Sequence, residues 1–381
     1  MTLASSALAG RFSSCVSGLK KSVVRAGVSQ SLANRALKIR KPDAKVLRLS
    51  KSQPEFRLKI WDYFSFLVDE QRVRDGRKMM RKYDGTLRAA EKRFGVNRYV
   101  IAAIWGVESD YGQKAGDNYL PNALATLICK RDRRRRLWRR ELIAALKLVQ
   151  RGDIKLDALY GSWAGAFGQT QFMPTTYGRL AIDFDRNGRR DLINSVADAL
   201  GSTANYLRRV GWRKGGSWMI EVKAPRNYRG PRGRRRKASL SAWARRGVVR
   251  ADGKKLAGKA RTALLLPAGS RGPGFLVFRN FNAIYAYNRA ESYALAISHL
   301  ADRLAGLPPL RTPWPTDDPG LTRAQRLELQ KRLIANGYDI GKADGKFGEV
   351  TRAAIAKAEK RYGMKPTGRA GLKIYKALGG K

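Results

Sequence analysis

Cysteine, histidine and acid are scarce in this 381-residue chain, and each shortage closes off a kind of chemistry. Two cysteines, Cys15 and Cys129, are too few for a disulfide framework or a cysteine-built metal centre, though one bridge between them stays open. A single histidine, His299, excludes metal sites built from several imidazoles and most Ser–His catalytic arrangements. Asp and Glu number 30 against 78 Lys and Arg, a net charge of +48. Such an excess calls for an anionic partner or setting: nucleic acid, cell-wall polymers or lipid headgroups. No apolar run reaches the ~18 residues of a spanning helix, so no transmembrane segment is expected. Met1–Gly10 is mildly apolar without a preceding basic residue, so no export signal is evident. Phe12–Cys15 faintly resembles a lipid-attachment box, but Cys15 reads better as part of a first helix continuing through Val16, Leu19 and Val23. What is abundant is apolar residue, 43%, enough for a sizeable core in two or three domains.

Periodicity predicts an α+β, mostly helical chain. Phe56, Ile60, Phe64 and Leu67 recur at helical spacing after a start at Gln53-Pro54-Glu55. Leu87 to Phe94 is amphipathic and stops at Gly95, and Asn97 can cap the helix that follows. Along it Ile101, Ile104 and Glu108 share one face, which puts Glu108 on the core-facing stripe at the C-terminal end. Further helices are expected over Leu137–Val149, from Pro174, over Val196–Val210 and over Tyr293–Leu304. Short β-like runs lie at Thr262–Leu266 and Phe275–Phe278. Pro308-Pro309 and Pro313-Trp314-Pro315 mark a stiff linker. The expected organisation is a tail over 1–11, a catalytic domain over 12–308, a Pro-rich linker over 309–320 and a compact unit over 321–381.

A carboxyl group in apolar surroundings resists ionisation; a buried Glu reaches a pKa near ~6 and can then donate a proton near neutral pH. The negative end of the helix dipole pushes the same way. Spacing alone favours a solvated helix-end Glu108, but the wider motif pattern reverses that. Trp105–Gly112 (WGVESDYG), Ser162–Tyr177 (SWAGAFGQTQFMPTTY) and Tyr287-Asn288-Arg289 occur in this order. Asn205-Tyr206 before Gly211-Trp212, Phe275–Phe278 and Ser292–Ala296 accompany them. The pattern resembles the lytic murein transglycosylases of the membrane-bound B type, a lysozyme-like family, over residues 12–308.

The resemblance implies that Glu108 protonates the oxygen between N-acetylmuramic acid and N-acetylglucosamine. The same group then takes the proton of the muramic 6-hydroxyl as that oxygen closes on C1, giving a 1,6-anhydro product without water. Asp110, two residues on, points away on a helix, and Asp117 has no obvious aim, so the two-carboxylate scheme of ordinary glycosidases fits poorly. By the same resemblance Ser162, Gln171, Phe172, Tyr206, Tyr287, Asn288 and Tyr293 bind the glycan. The alternatives are a turn hydroxyl for Ser162, loop packing for Gln171 and Phe172, half-buried core for the tyrosines and a capping role for Asn288. Gly165 and Gly168 are read as small residues that let a sugar approach the backbone.

Asp183–Asp191 follows an EF-hand-like rhythm, with Asp183, Asp185 and Asn187 alternating and Gly188 sixth. Asn194 replaces the usual twelfth-position Glu, and Asp198 is the expected closing ligand of a structural Ca2+ site. A self-bonded Asp/Asn turn is the alternative, and no cofactor is required for the chemistry. Residues 321–379 resemble the three-helix peptidoglycan-binding module through Gln325, Leu329, Leu333, Gly337-Tyr338, Asp344-Gly345, Phe347-Gly348 and Thr351–Ile355. There Ala358-Glu359 replaces an aromatic-Gln pair, which implies a smaller core and weaker ligand binding. The basic runs Lys130–Arg140 and Arg226–Lys237 suit anionic envelope polymers in the periplasm or cell envelope. A water-using muramidase, an inactive wall-binding scaffold and a nucleic-acid binder are the competing readings. The last rests on charge alone, and nucleic acid is not expected as a partner.

Overall fold

The computed structural model describes residues 2–50, 58–130, 133–345 and 347–380, with side chains from Arg11 onward. The expected helix start at Gln53-Pro54-Glu55, and Phe56, lie outside the described residues. The chain divides into two compact units, one of Met1–Gln53 with Asp75–Gly215, the other of Pro54–Arg74 with Gly216–Lys381.

The first unit is helical. It opens with α1 (Thr2–Arg25), which takes in most of the segment expected to be a tail, then α2 (Gln30–Ala36) and α3 (Ala44–Ser50). Phe12, Val16, Leu19 and Val23 recur at helical spacing and are buried. They pack with Leu124, Leu127, Trp138, Leu142 and Leu146 of two helices from later in the chain. A disulfide joins Cys15 to Cys129 across 114 residues. In chain order α4 (Ile60–Leu67), part of the second unit, and α5 (Glu70–Lys82) precede α6 (Asp84–Phe94) and α7 (Arg98–Ser109) of the first. Gly95, at φ 68°, ends α6, and the Asn97 side chain accepts the Tyr99 N–H at 3.0 Å to start α7. Strand β1 (Asn118–Tyr119) pairs antiparallel with β2 (Tyr160–Gly161) on either side of α8 (Leu120–Cys129) and α9 (Arg135–Gln150). Helices α10 (Pro174–Leu180) and α11 (Val196–Arg209) complete the unit.

The second unit is built on a five-stranded antiparallel sheet in the order β4-β6-β7-β3-β5. Its strands are β3 (Met219–Lys223), β4 (Lys237–Ser239), β5 (Val249–Arg250), β6 (Arg261–Leu265) and β7 (Gly274–Val277), with α12 (Leu240–Arg245) after β4. Val222, Leu264 and Leu276 face a small core shared with Trp243 of α12. Then come α13 (Arg279–Asn288) and α14 (Glu291–Leu304), the latter buried along most of its length. His299 of α14 stacks on Phe64, centroids 5.9 Å apart, and burial lowers its pKa to about 4, so the one imidazole is a neutral core group.

The Pro-rich stretch is fastened within this unit. Glu221 accepts the N–H groups of Arg311 and Thr312 at 2.9 and 2.7 Å, and Trp314 meets Phe64 edge-on. Beyond it α15 (Arg323–Ala335), α16 (Glu349–Arg361) and α17 (Leu372–Ala377) enclose Leu329, Leu333, Ile355 and Ile374. Three arginines of this segment reach α4 or Asp69 just beyond it. Arg369 bridges Asp62 and Asp318, Arg323 pairs with Asp69 at 2.9 Å, and Arg326 lies over the rings of Phe66 and Phe347. Of the pair that replaces aromatic-Gln, Ala358 lies in the small core and Glu359 closes a loop: it accepts from Thr367 N, Thr367 Oγ1 and Gly368 N at 2.5 to 2.7 Å.

Candidate active site

Helix α7 is buried on nearly all sides. Ile101, Ile104 and Trp105 are at most 1% exposed, while Glu108, on the last turn, is half-buried. The helix stops on two non-glycine residues in the left-handed region, Asp110 (φ 54°) and Tyr111 (φ 59°). That reversal folds the Tyr111 ring under Gly106, where an added Cβ would come within 2.5 Å of it. Trp105 packs edge-on against both Tyr111 and Tyr83, centroids 5.5 Å apart in each case. The last turn carrying Glu108 is therefore held from several sides.

The neighbouring acids are engaged elsewhere. Asp110 faces Lys114 at 3.4 Å, and Asp117 receives Lys45 at 2.7 Å. Glu141, which the motif reading did not single out, is 1% exposed. It caps α10 by accepting Thr175 N–H and Thr175 Oγ1–H, both at 2.9 Å. Its sequence signal is the Thr after Pro174 at a helix start, which needs an acceptor from elsewhere.

Loop 162–173 is a tight hairpin in which Phe167 and Phe172 exchange backbone hydrogen bonds at 3.0 Å. Ser162 Oγ accepts the Ala166 N–H at 3.0 Å, the turn role weighed for it, and its own O–H remains a donor. Gln171 sits at the turn with φ 52°, and its Nε2 donates to the carbonyls of Ala115 and Gly168 at 2.7 and 2.9 Å. Phe172 is 2% exposed; its ring lies 5.9 Å from that of half-buried Tyr206, so it supports the tyrosine from behind rather than forming an open wall. The loop glycines admit protein rather than sugar. A Cβ on Gly165 would meet Leu124 at 2.9 Å, and one on Gly168 would meet the Leu192 carbonyl at 2.7 Å.

Gln169 was also not singled out from sequence. It is buried, and its Oε1 accepts the Trp105 indole N–H at 3.0 Å while its carbonyl accepts the Ser109 hydroxyl at 2.5 Å. In the second unit Tyr287 is half-buried and stacks at 11° on buried Tyr293, while Asn288 is exposed at the end of α13.

Asp183, Asp185 and Asp198 bring carboxylate oxygens within 4.8 Å of one another. Asp198 is fully buried and accepts N–H groups from Phe184 and Asp191 at 2.6 and 2.7 Å. Burial, with Asp185 adding repulsion, raises its pKa against these hydrogen bonds. Asp183 accepts from Asn187 and Gly188, Asp185 from Asn187 N–H and the Ser195 hydroxyl, and Asn187 from Arg189 N–H. Three hard oxygen donors gathered this closely fit a divalent cation such as Ca2+, whose charge would offset their repulsion.

The transglycosylase SLT domain family matches residues 11–302, and the peptidoglycan binding domain family matches residues 322–378. The membrane-bound lytic murein transglycosylase B of Escherichia coli K12 is 32% identical over 245 residues, 64% of this chain and 66% of that protein's length. The structure is similar to SltB3 from Pseudomonas aeruginosa in complex with NAG-anhNAM-pentapeptide, with TM-score 0.76 and 38% identity, covering 96% of this chain and 99% of that one. It is also similar to the Escherichia coli lytic transglycosylase Slt35 in complex with calcium, with TM-score 0.68 and 29% identity, covering 76% of this chain and 92% of that one.

Proposed function

The chain belongs to the lytic murein transglycosylases that carry a transglycosylase SLT domain, and from that premise we propose that Glu108 is its single general acid and base. The observation that carries this is the placement of Glu108, a carboxyl on the last turn of the apolar helix α7. It is half-buried at the end of a braced helix, while Asp110 and Asp117, the acids that follow it in the sequence, face lysines and buried Glu141 caps α10. With one carboxyl, the two-carboxylate schemes are short of a partner. The protonated Glu108 gives its proton to the glycosidic oxygen, the bond from C1 to that oxygen breaks, and the N-acetylglucosamine leaves with a free 4-hydroxyl. The substrate's acetamido group assists at C1. The muramic 6-hydroxyl then bonds to C1, and its proton passes to the Glu108 carboxylate. The acid is regenerated and no water is consumed, so the product is a 1,6-anhydromuramoyl end.

Around that centre Gln171 Oε1 and the Ser162 hydroxyl supply sugar hydrogen bonds, and Tyr206, propped by Phe172, offers a ring face. Tyr287, Asn288 and Tyr293 are assigned to the glycan by resemblance. Asp183, Asp185, Asn187 and Asp198 hold a structural Ca2+, as the relative crystallised with calcium suggests. A chain with a disulfide suits the oxidising periplasm, and its net charge of +48 suits anionic wall polymers. Digestion of purified sacculi followed by mass spectrometry tests the reading. Anhydro ends from the wild type and none from Glu108→Gln are expected; reducing ends would make the enzyme a hydrolase, and an active Glu108→Gln would remove the acid.

A further inference from the structure

Glu108 is half-buried on the last turn of α7, and its aim depends on where that turn is held. Two polar side chains of the turn, Trp105 and Ser109, reach one residue across the cleft wall. The Trp105 indole N–H donates to Gln169 Oε1 at 3.0 Å, and the Ser109 hydroxyl donates to the Gln169 carbonyl at 2.5 Å. Ser109 Oγ also accepts the Gly112 N–H at 2.9 Å, which fixes the reversal after the helix. The donors of Gln169 go the opposite way. Its backbone N–H reaches the Leu192 carbonyl at 2.8 Å and its Nε2 reaches the Ile193 carbonyl at 3.2 Å. That segment is anchored in turn: Asp191 N–H donates to Asp198 at 2.7 Å, and Asp191 Oδ1 accepts from Ile193 and Asn194 at 2.9 Å.

We propose that Gln169 is the positioning residue of the reaction, fastening the turn that carries Glu108 to the 191–194 segment beside the acidic loop. The inference rests on the reading of Glu108 as the acid. An amide suits this post because it offers an acceptor to one side and a donor to the other. It sits in a buried place where an unpaired polar group is costly, so both sides are pinned. Gln169 touches no substrate in this assignment, in contrast to Gln171 two residues on. Its effect is on the geometry of proton transfer, where a displacement of about 1 Å costs about 100-fold in rate.

The test uses the full chain with Gln169→Met, which keeps the length but neither hydrogen bond, and Gln169→Glu, whose oxygen still accepts from Trp105. Turnover of soluble glycan strands is measured per folded molecule, with folding checked by near-ultraviolet circular dichroism and the Trp105 bond by its indole N–H resonance. Gln169→Met is expected to lower kcat by about 100-fold while KM moves less than about 3-fold. Gln169→Glu is expected to recover to within about 10-fold of wild type, roughly half of that loss on a logarithmic scale. An unchanged kcat in Gln169→Met, or equal losses in both variants, would overturn the proposal. Glu108→Gln is run alongside: if it stays active, the assignment of the acid fails, a result separate from either outcome at Gln169.

Discussion

Replacing Asp302 by asparagine should make the protein's stability less sensitive to alkali. Asp302, on α14, is half-buried and accepts the Trp218 indole N–H at 2.9 Å. Burial raises its pKa from an ordinary 3.8 to about 7, and the indole bond only partly opposes this. Below the lower value both folded and unfolded chains are protonated and the group has no effect. Between the two, the unfolded chain releases a proton that the folded chain keeps, so stability falls as pH rises. Above about 7 the folded chain carries a buried charge and the loss is complete. A displacement of about 3 pH units at ~1.4 kcal/mol each comes to about 4 kcal/mol. Asp302→Asn retains an oxygen for Trp218 and cannot ionise. Urea unfolding, with hydrogen exchange of the α14 amides as the local readout, should show the variant equal to wild type near pH 4. At pH 9 it should be the more stable by as much as about 4 kcal/mol. A gap of constant size across that range would refute the reasoning, because it would mean that the carboxylate ionises as it does in water.

Three further outcomes are expected. Asp69→Ala removes the carboxylate that Arg323 meets at 2.9 Å and should loosen the three C-terminal helices, read as faster tryptic cleavage within residues 309–320. Glu359→Ala should destabilise the same helices by about 3 kcal/mol in a thermal or urea titration, with Glu359→Gln losing less because it keeps an acceptor. Chelation should lower the melting temperature if Ca2+ fills the Asp183–Asp198 group; occupancy at ~100 times Kd contributes about 2.7 kcal/mol. Asp183→Ala should abolish that sensitivity, as monitored by calorimetry with and without chelator.

Local chemistry was easy to read in the sequence. Asn97 and Gly95 bracket helices because a side-chain acceptor and a residue free to take positive φ act on their own neighbours. The place of Glu108 on the last turn of α7 follows from its helical spacing. What stayed hidden depends on contacts between residues far apart in the chain. Gln169 and Gln171 differ by two positions in one loop, yet Gln169 is buried against the Trp105 indole, 64 residues away, while Gln171 is half-buried. Gly165 and Gly168 read as room for sugar because Leu124 and Leu192 could not be seen beside them. The ion pairs of Arg323 with Asp69 and Arg369 with Asp62 close over 254 and 307 residues, so a stretch that reads as a spacer is in fact tied down. Glu359 read only as the stand-in for a glutamine, and it is the acceptor for three donors in the loop at Thr367-Gly368.

The single Cys15–Cys129 bridge has a consequence for how the chain matures. With two thiols there is one possible pairing, so no wrong isomer can form within a molecule and nothing has to be reshuffled. Oxidation is a one-way latch on α1 that requires an electron acceptor but no isomerase. The one error open to it is cross-linking between molecules, which crowding favours and early packing of Val16, Leu19 and Val23 opposes.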